Sequence, residues 1–329
     1  MPPPSQSGRI EQLASWNWLQ NSNHRSIRLT PNPYPIPRSS RSLTIVAWVT
    51  TILASVLPDI VLNELVGGIP AWLTWLKMGF LTILALTAWF RKELRPLQNF
   101  FIALLAFFAL SQLRTLFDFS LPALQALFGS SVFDIRMQAE QTGKFAVSLA
   151  MIAILFGLGY KRRDFFLTLG NLRAPIEPMP LLGFPKRDPW PWFGLQWGFY
   201  ISAALAVIQY LSLRPSGDLV IKALPILPSI LFYAGLNAFN EEILYRAPML
   251  ATLEPVGGSR QALWMAAFFF GIGHYFGTPG GILGGIASIF MGWILGKGML
   301  ETRGFFWTWW IHLLSDIAIY SFLTMALLK

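Results

Sequence analysis

Long apolar segments recur along the chain from residue 42 onward, at lengths close to the ~20 residues that cross a bilayer as a helix. Nine such segments can be marked, at residues 43–65, 71–90, 97–113, 145–160, 192–213, 224–250, 262–276, 282–296 and 305–328. The pattern predicts an all-α fold, a polytopic transmembrane helical bundle of about eight to nine spans.

The composition excludes a water-soluble globular protein. Hydrophobic residues make up 54% of the chain and charged residues 12%, whereas soluble domains carry about 25% charged residues. The formal net charge is +9, but the basic residues lie beside apolar segments, where anionic headgroups and the positive-inside bias explain them. We therefore expect membrane lipid as a partner and no nucleic acid. The absence of cysteine excludes disulfides, a thiol nucleophile and thiolate metal ligands.

The loop charges predict an orientation, because cytosolic loops are enriched in Lys and Arg. The N-terminal tail and the loops at residues 91–95, 161–187 and 297–303 are basic and fall on one side. A mixed set on the opposite side comprises Arg114, Asp118, Asp134, Arg136, Glu140 and Lys144. This predicts an integral, multi-pass protein of the plasma (inner) membrane with a cytosolic N-terminus. An organellar transit peptide is the alternative for the tail, which is poor in acidic residues.

Three regions are predicted along the chain. Residues 1–41 form a basic cytosolic tail, residues 42–213 form N-terminal transmembrane helices, and residues 214–329 form a catalytic transmembrane domain, with a proline-rich loop at residues 175–191 before the fifth segment. Small residues at helical spacing are expected to let one C-terminal helix approach its neighbour closely, namely Gly280, Gly284, Gly292 and Gly296.

Ionisable residues inside a membrane span usually mark a functional site or its partner. The largest cluster lies in segment 224–250, in the run Asn240-Glu241-Glu242-Ile243-Leu244-Tyr245-Arg246. Positions i and i+4 share a helix face, so Glu242 and Arg246 are predicted to form a structural ion pair. Glu241 points elsewhere and has no partner on its own helix face, which makes it the candidate general base. Pro248 is expected to end or kink this helix.

Two of the three histidines lie in later apolar segments, and His312 shares a helix face with Asp316. At a rise of about 1.5 Å per residue, Glu241, His274, His312 and Asp316 can meet near the midplane. They predict a polar cavity in which Glu241, alone or with His274, activates water. His312 and Asp316 would contact the oxyanion or the substrate, with Asp316 orienting His312. No cofactor is expected on this interpretation.

A zinc site is the alternative chemistry for the same residues, with Glu241, His274 and His312 as ligands. The protein would then be a metalloendopeptidase. The linear His-Glu-x-x-His signature of helical zinc hydrolases is absent from the sequence, so the ligands would have to be dispersed along the chain.

Three motifs in order resemble the CPBP family, which contains the CAAX prenyl endopeptidases and the bacteriocin-immunity (Abi) proteins. They are Glu-Glu-x-x-x-Arg at residues 241–246, Phe-x-x-x-His at residues 270–274 and His-x-x-x-Asp at residues 312–316. The resemblance implies an all-helical intramembrane endopeptidase with a cavity open to the cytosol. It further implies that Glu241 and His274 activate water and that His312 and Asp316 stabilise the oxyanion. The CAAX enzymes commonly have Asn at the position of Asp316.

The function expected from residues and resemblance together is hydrolysis of a peptide bond in a hydrophobic or lipidated protein or peptide substrate. Two alternatives belong to other classes of protein. A proton- or ion-coupled transporter would use the same buried acids and histidines as a relay, although the sequence contains no paired broken helices of the kind found in transporter repeats. A non-catalytic membrane scaffold would keep the polar cluster for helix packing.

Overall fold

The computed structural model describes residues 41–329, and this part of the chain contains helices and no strand. The helices are α1 (Arg41–Ala54), α2 (Leu57–Val66), α3 (Trp72–Phe90), α4 (Gln98–Arg114), α5 (Pro122–Phe128), α6 (Val132–Gly157), α7 (Trp190–Leu213), α8 (Gly217–Ala223), α9 (Leu227–Glu241), α10 (Ala247–Ile272), α11 (Gly281–Thr302) and α12 (Phe306–Leu327). A π-helical segment, Glu242–Arg246, joins α9 to α10. The predicted tail falls almost wholly on residues 1–40, outside the described residues.

The helices confirm the prediction of an all-α polytopic bundle. Within residues 41–329, seven helical stretches are long and apolar enough to cross a membrane, or eight if α1 and α2, which are bent by 44°, form one span. The sequence predicted eight to nine. The predicted segments 224–250 and 262–276 both lie in one of these stretches, Gly217–Phe276, on either side of a break at Gly258.

The helix that carries Glu241 continues through Pro248 rather than ending there. Proline lacks an N–H, and its ring crowds the carbonyl four residues earlier, which here belongs to Leu244. The π-helical segment Glu242–Arg246 lies immediately before this point, and its wider i to i+5 bonding accommodates the disturbance. The chain instead breaks direction at Gly258, whose φ of 77° and ψ of 164° are readily adopted only by glycine.

Helix α6 begins 13 residues before the apolar segment predicted at 145–160. The apolar pattern did not include these residues, because several of the side chains that they bury are polar. Asp134, Gln138 and Gln141 are all buried, and Ser131 and Asp134 form a capping box at the N-terminus. The charges of residues 134–144, which were assigned to a loop, are therefore on a helix. The length of an apolar segment did not predict the first half of α6, because that length reflects hydrophobicity and not the direction in which each side chain points.

The N-terminal helices share one hydrophobic core with the C-terminal helices. A single buried cluster joins Leu43 of α1, Leu81 of α3 and Phe100 of α4 to Leu250 of α10 and Met299 of α11. The helices before residue 213 therefore pack directly on the predicted catalytic region. The boundary at residue 213 stays a prediction.

Two of the connections expected on the same side of the membrane do lie together. The N–H of Asn171 donates to the carbonyl of Thr302 at 2.7 Å, and the N–H of Phe305 donates to the carbonyl of Thr168 at 2.7 Å. The loop between α6 and α7 is thus held against the turn between α11 and α12. That this end faces the cytosol stays a prediction from the positive-inside bias.

Helices α10 and α11 approach closely, and glycines from both helices line the contact. A Cβ added at Gly292 would lie 3.3 Å from Ala267 Cα, and one added at Gly296 would lie 2.6 Å from Leu263 Cδ1. A Cβ added at Gly271 would lie 2.2 Å from the backbone nitrogen of Ile289. The backbones can therefore come this close only without side chains at these positions.

We expect Gly271→Ala to destabilise the protein by at least about 1–3 kcal/mol, the usual cost of overpacking, because α10 and α11 must separate to accept the methyl group. Thermal unfolding of the purified protein in detergent is the measurement. The control is Gly79→Ala in α3, where an added Cβ meets nothing within 4 Å. Equal unfolding temperatures for the two variants would contradict the close contact.

Candidate active site

The residues predicted to carry chemistry converge where α6, α9, the π-helical segment, α10 and α12 meet. Glu241 ends α9 and Glu242 begins the π-helical segment. His312 and Asp316 lie on α12. Each helix is apolar along most of its length, so each presents few polar side chains, and these face inward because an unpaired polar group in hydrocarbon is costly.

Glu242 is at the centre of the buried part of the site. Its carboxylate accepts a hydrogen bond from Arg246 Nη1, and its Oε1 lies 2.7 Å from His312 Nδ1. The side chains of Glu242 and Arg246 are 0% exposed. The guanidinium of Arg246 also lies over the ring of Phe270, at 4.1 Å from the centroid, in cation–π geometry. The predicted spacing of Glu242 and Arg246 thus brings them into contact.

The imidazole of His312 lies between three carboxylates. Its Nδ1 contacts Glu242, while its Nε2 is 3.6 Å from Glu241 Oε2 and 3.7 Å from Asp316 Oδ2. The side chains of Glu241 and Glu242 leave the helix in different directions, as expected. Both nevertheless lie near the same imidazole, Glu242 at Nδ1 and Glu241 at Nε2. The contact that orients His312 comes from Glu242, whereas Asp316 was the residue expected to orient it.

A lysine from α6 supplies the partner that Glu241 lacks on its own helix. Lys144 Nζ is 3.2 Å from Glu241 Oε1 and donates to Asn237 Oδ1 at 2.9 Å. Asn237 Nδ2 in turn donates to Asp316 Oδ2 at 3.0 Å. One chain of contacts therefore runs from Glu241 through Lys144 and Asn237 to Asp316, and it links α6, α9 and α12.

Sequence reasoning missed Lys144 and Asn237, although a signal for α6 exists. Its polar residues recur every three or four positions, which places them along one helix face: Asp134, Gln138, Gln141, Lys144 and Ser148. Besides Lys144, two more of these contact α9 directly. Asn240 Nδ2 donates to the carbonyl of Gln141 at 3.1 Å, and Ser148 Oγ donates to Asn240 Oδ1 at 3.1 Å. No comparable period marks Asn237, which shares its helix with Asn240.

His274 is at the edge of this cluster, in a 3₁₀ turn that follows α10. Its Nδ1 lies 3.1 Å from the carbonyl of Phe270. The ring of Phe270 is 4.6 Å from the ring of His274 and 5.9 Å from that of His312, so both imidazoles pack on the same phenyl ring. Within residues 41–329, His274 makes no direct hydrogen bond or ion pair with Glu241, and the two residues can cooperate only through a bound molecule.

A small cavity adjoins the Lys144 side of the cluster. Its volume is about 60 Å³, which is enough for water. The lining comprises Phe107, Ser111, Arg114, Lys144, Val147, Leu244 and Tyr245. Polar atoms from three helices therefore surround a space that adjoins the partner of Glu241.

The structure shows no metal site at the residues suggested as zinc ligands, Glu241, His274 and His312. In the part of the chain from residue 41 to residue 329, no group of three or more His, Asp or Glu side chains has an arrangement that could hold a metal ion. We therefore derive no step through zinc from Glu241, His274 and His312.

We expect Arg246→Ala to destabilise the protein by about 3–5 kcal/mol, because removing one partner of a buried ion pair leaves an uncompensated charge. The measurement is folded yield and thermal unfolding in detergent. Arg136→Ala, at an exposed position of α6, is the control and should change stability by less than about 0.5 kcal/mol. If the two variants were equally stable, Arg246 would have no role in holding Glu242.

One comparison with known proteins identifies a family. Residues 223–318 match the model described as type II CAAX prenyl endopeptidase Rce1-like. This region runs from the end of α8 into α12 and contains Glu241, His274, His312 and Asp316. No curated protein and no solved structure gives a significant match. Residues 223–318 are therefore similar to the CPBP/CAAX protease family that the three motifs indicated.

Proposed function

We propose that this protein is an intramembrane endopeptidase of the CAAX type, in which Glu241 and His274 activate the water that attacks a peptide bond. The observation that carries the proposal is the position of Glu241. Its carboxylate lies between Lys144 Nζ and His312 Nε2, within the region that matches the protease family.

Glu241 is a better base than Glu242 because it keeps an accessible oxygen. The Glu242 side chain is fully buried, and its contacts are with Arg246 and His312. The Glu241 side chain is 15% exposed, and Lys144 occupies only Oε1. The ammonium group stabilises the ionised carboxylate, while Oε2 can accept a hydrogen bond from water.

His274 is suited to position the same water through Nε2. A carbonyl oxygen can only accept a hydrogen bond, so contact with the carbonyl of Phe270 assigns the proton to Nδ1. In the neutral ring Nε2 then carries a lone pair. We propose that this lone pair and Glu241 Oε2 each accept a hydrogen bond from one water molecule. As the water oxygen bonds to the carbonyl carbon, Glu241 takes one proton and then passes it to the leaving amine when the C–N bond breaks.

His312 is the proposed donor to the oxyanion. Its Nδ1 lies against Glu242, and its Nε2 is near Glu241 and Asp316. These carboxylates favour an imidazolium, whose Nε2–H could donate to the tetrahedral intermediate. Asn237 holds Asp316 in place and contributes an amide group near the position where the CAAX enzymes commonly have Asn.

The position of the site supports a proposal for the substrate class. Apolar helices surround the cluster, so a cleavable segment must enter from the membrane or its surface. We propose a hydrophobic or lipid-modified C-terminal peptide, with membrane lipid as the surrounding solvent. A prenylated peptide is the form that the matched family suggests.

We expect Glu241→Gln to abolish hydrolysis and leave the fold intact, because Lys144 keeps contacts with Asn237 and Glu140. New peptide termini are compared in host membranes expressing the wild type or the variant at equal levels. Glu140→Gln is the matched control, since Glu140 Oε1 is also 3.2 Å from Lys144 Nζ but has no proposed role in the reaction.

The same comparison separates the three classes of function. Termini that appear with the wild type and the control, but not with Glu241→Gln, would identify a protease and its substrate. A folded and fully active Glu241→Gln protein would refute the mechanism. An absence of new termini with all three proteins folded would favour a transporter or a scaffold instead.

Lys144 is proposed as a positioning residue, because it holds one oxygen of Glu241 and does not face the reacting atoms. We expect Lys144→Gln to lower kcat by about 10- to 100-fold, the size of effect that small misplacements produce, with a smaller change in KM. Lys144→Arg keeps the charge and should recover part of kcat. A purely structural role would instead lower the fraction of active enzyme and leave kcat per active site unchanged.

A further inference from the structure

A large cavity in the described part of the chain lies apart from Glu241, at the end of the bundle that holds the loop between α6 and α7. Its volume is about 770 Å³, within the usual range for small-molecule sites. It lies between that loop, the part of α10 after Gly258 and the end of α11. Its charged and aromatic lining residues include Glu177, Arg187, Arg260, Trp264, Trp293 and Lys297. None of them belongs to the candidate active site.

The acidic groups of this cavity already have partners. Glu301 accepts hydrogen bonds from Lys297 Nζ, from Trp190 Nε1 at 2.9 Å and from the backbone N–H of Glu177 at 3.2 Å. Lys297 Nζ is also 3.9 Å from Glu177 Oε2. Lys297 is nearly fully buried, and its charge is therefore balanced inside the protein.

Two guanidinium groups of the lining have no such balance. Arg187 lies in the loop and Arg260 lies in α10, and both are exposed. Neither forms an ion pair or hydrogen bond with any other residue between 41 and 329. Guanidinium groups bind phosphate through paired N–H donors, so the cavity combines two available phosphate ligands from separate segments.

The remaining walls suit a lipid. The rings of Trp264 and Trp293 lie 6.1 Å apart, and Trp264 is 43% exposed. Tryptophan is enriched where a helix meets the headgroup region. Apolar side chains of Ile176, Leu263 and Leu300 complete the lining. The cavity thus combines the guanidinium groups of Arg187 and Arg260 with aromatic and aliphatic side chains, as an amphipathic ligand requires.

We propose that this cavity binds the phosphate group of an anionic phospholipid, with Arg187 and Arg260 contacting the phosphate and the two tryptophans packing on the glycerol and the first acyl carbons. The site is on the side predicted to be cytosolic, where anionic lipids attract basic residues. The proposal is independent of whether Glu241 is catalytic.

Lipid retention by the purified full chain tests this site. The protein is exchanged into detergent with equal amounts of phosphatidylglycerol and phosphatidylcholine, and bound lipid is counted by native mass spectrometry. We expect the wild type to retain phosphatidylglycerol preferentially. Replacing both residues, Arg187→Gln with Arg260→Gln, should weaken this retention by about 30-fold, given the contribution of each basic residue near anionic lipid.

The matched control is Lys186→Gln with Arg173→Gln. It removes two exposed cations of the same loop, neither of which lines the cavity. Each protein is first shown to unfold at the wild-type temperature. If the Arg187→Gln, Arg260→Gln double variant misfolds, Arg260→Gln alone is tested instead. Its loss of phosphatidylglycerol retention should be about half as large on a logarithmic scale. The proposal would be overturned if the variant and the control lost equal amounts of bound phosphatidylglycerol, or if the wild type showed no preference for phosphatidylglycerol.

Competition distinguishes the source of the phosphate. Added inorganic phosphate that displaces phosphatidylglycerol from the wild type would assign the site to free phosphate, and lipid that stays bound would assign it to the headgroup. Peptidase assays on the same variants supply a further check. Loss of hydrolysis with unchanged lipid retention would assign the cavity to the substrate and would refute lipid binding.

Discussion

Neutralisation of buried charge is the constraint on which the rest of this bundle depends. Glu242 and Arg246 have no exposed surface, and an unpaired ion in an apolar interior costs several kcal/mol. Their contacts with each other and with His312 therefore oblige α12 to pack against the π-helical segment in one register. The contacts of Lys144 with Glu241 and Asn237 impose the same requirement on α6. The polar cluster thus specifies how apolar helices, which could slide past one another, are arranged.

This arrangement separates two adjacent glutamates into different environments. Glu242 is closed in by Arg246 and His312, whereas Glu241 faces a lysine and retains some exposure. The π-helical segment begins at Glu242, immediately after Glu241, where Pro248 disturbs the hydrogen bonding of the next turn. Such segments often occur at functional sites. One structural and one proposed catalytic carboxylate can therefore occupy consecutive positions of a single helix.

The family match covers residues 223–318, but the site extends beyond them. Lys144 belongs to α6, and the hydrophobic core joins α1, α3 and α4 to α10 and α11. The N-terminal helices are therefore part of the protein that forms the site. The proposed lipid cavity also combines both regions, since Arg187 precedes the matched residues and Arg260 lies within them.

The sequence by itself determined the helical membrane fold and the pairing of Glu242 with Arg246, because hydrophobic length and i, i+4 spacing are local properties. It also pointed to His312 and Asp316 as residues near Glu241. It did not reveal the start of α6, the partner of Glu241 or the residue that orients His312. A polar helix face reads as a loop until the surface that buries it is known, and Lys144 is 97 positions from Glu241 along the chain. Only the tertiary packing decided these contacts, because they depend on which helices meet and at what depth.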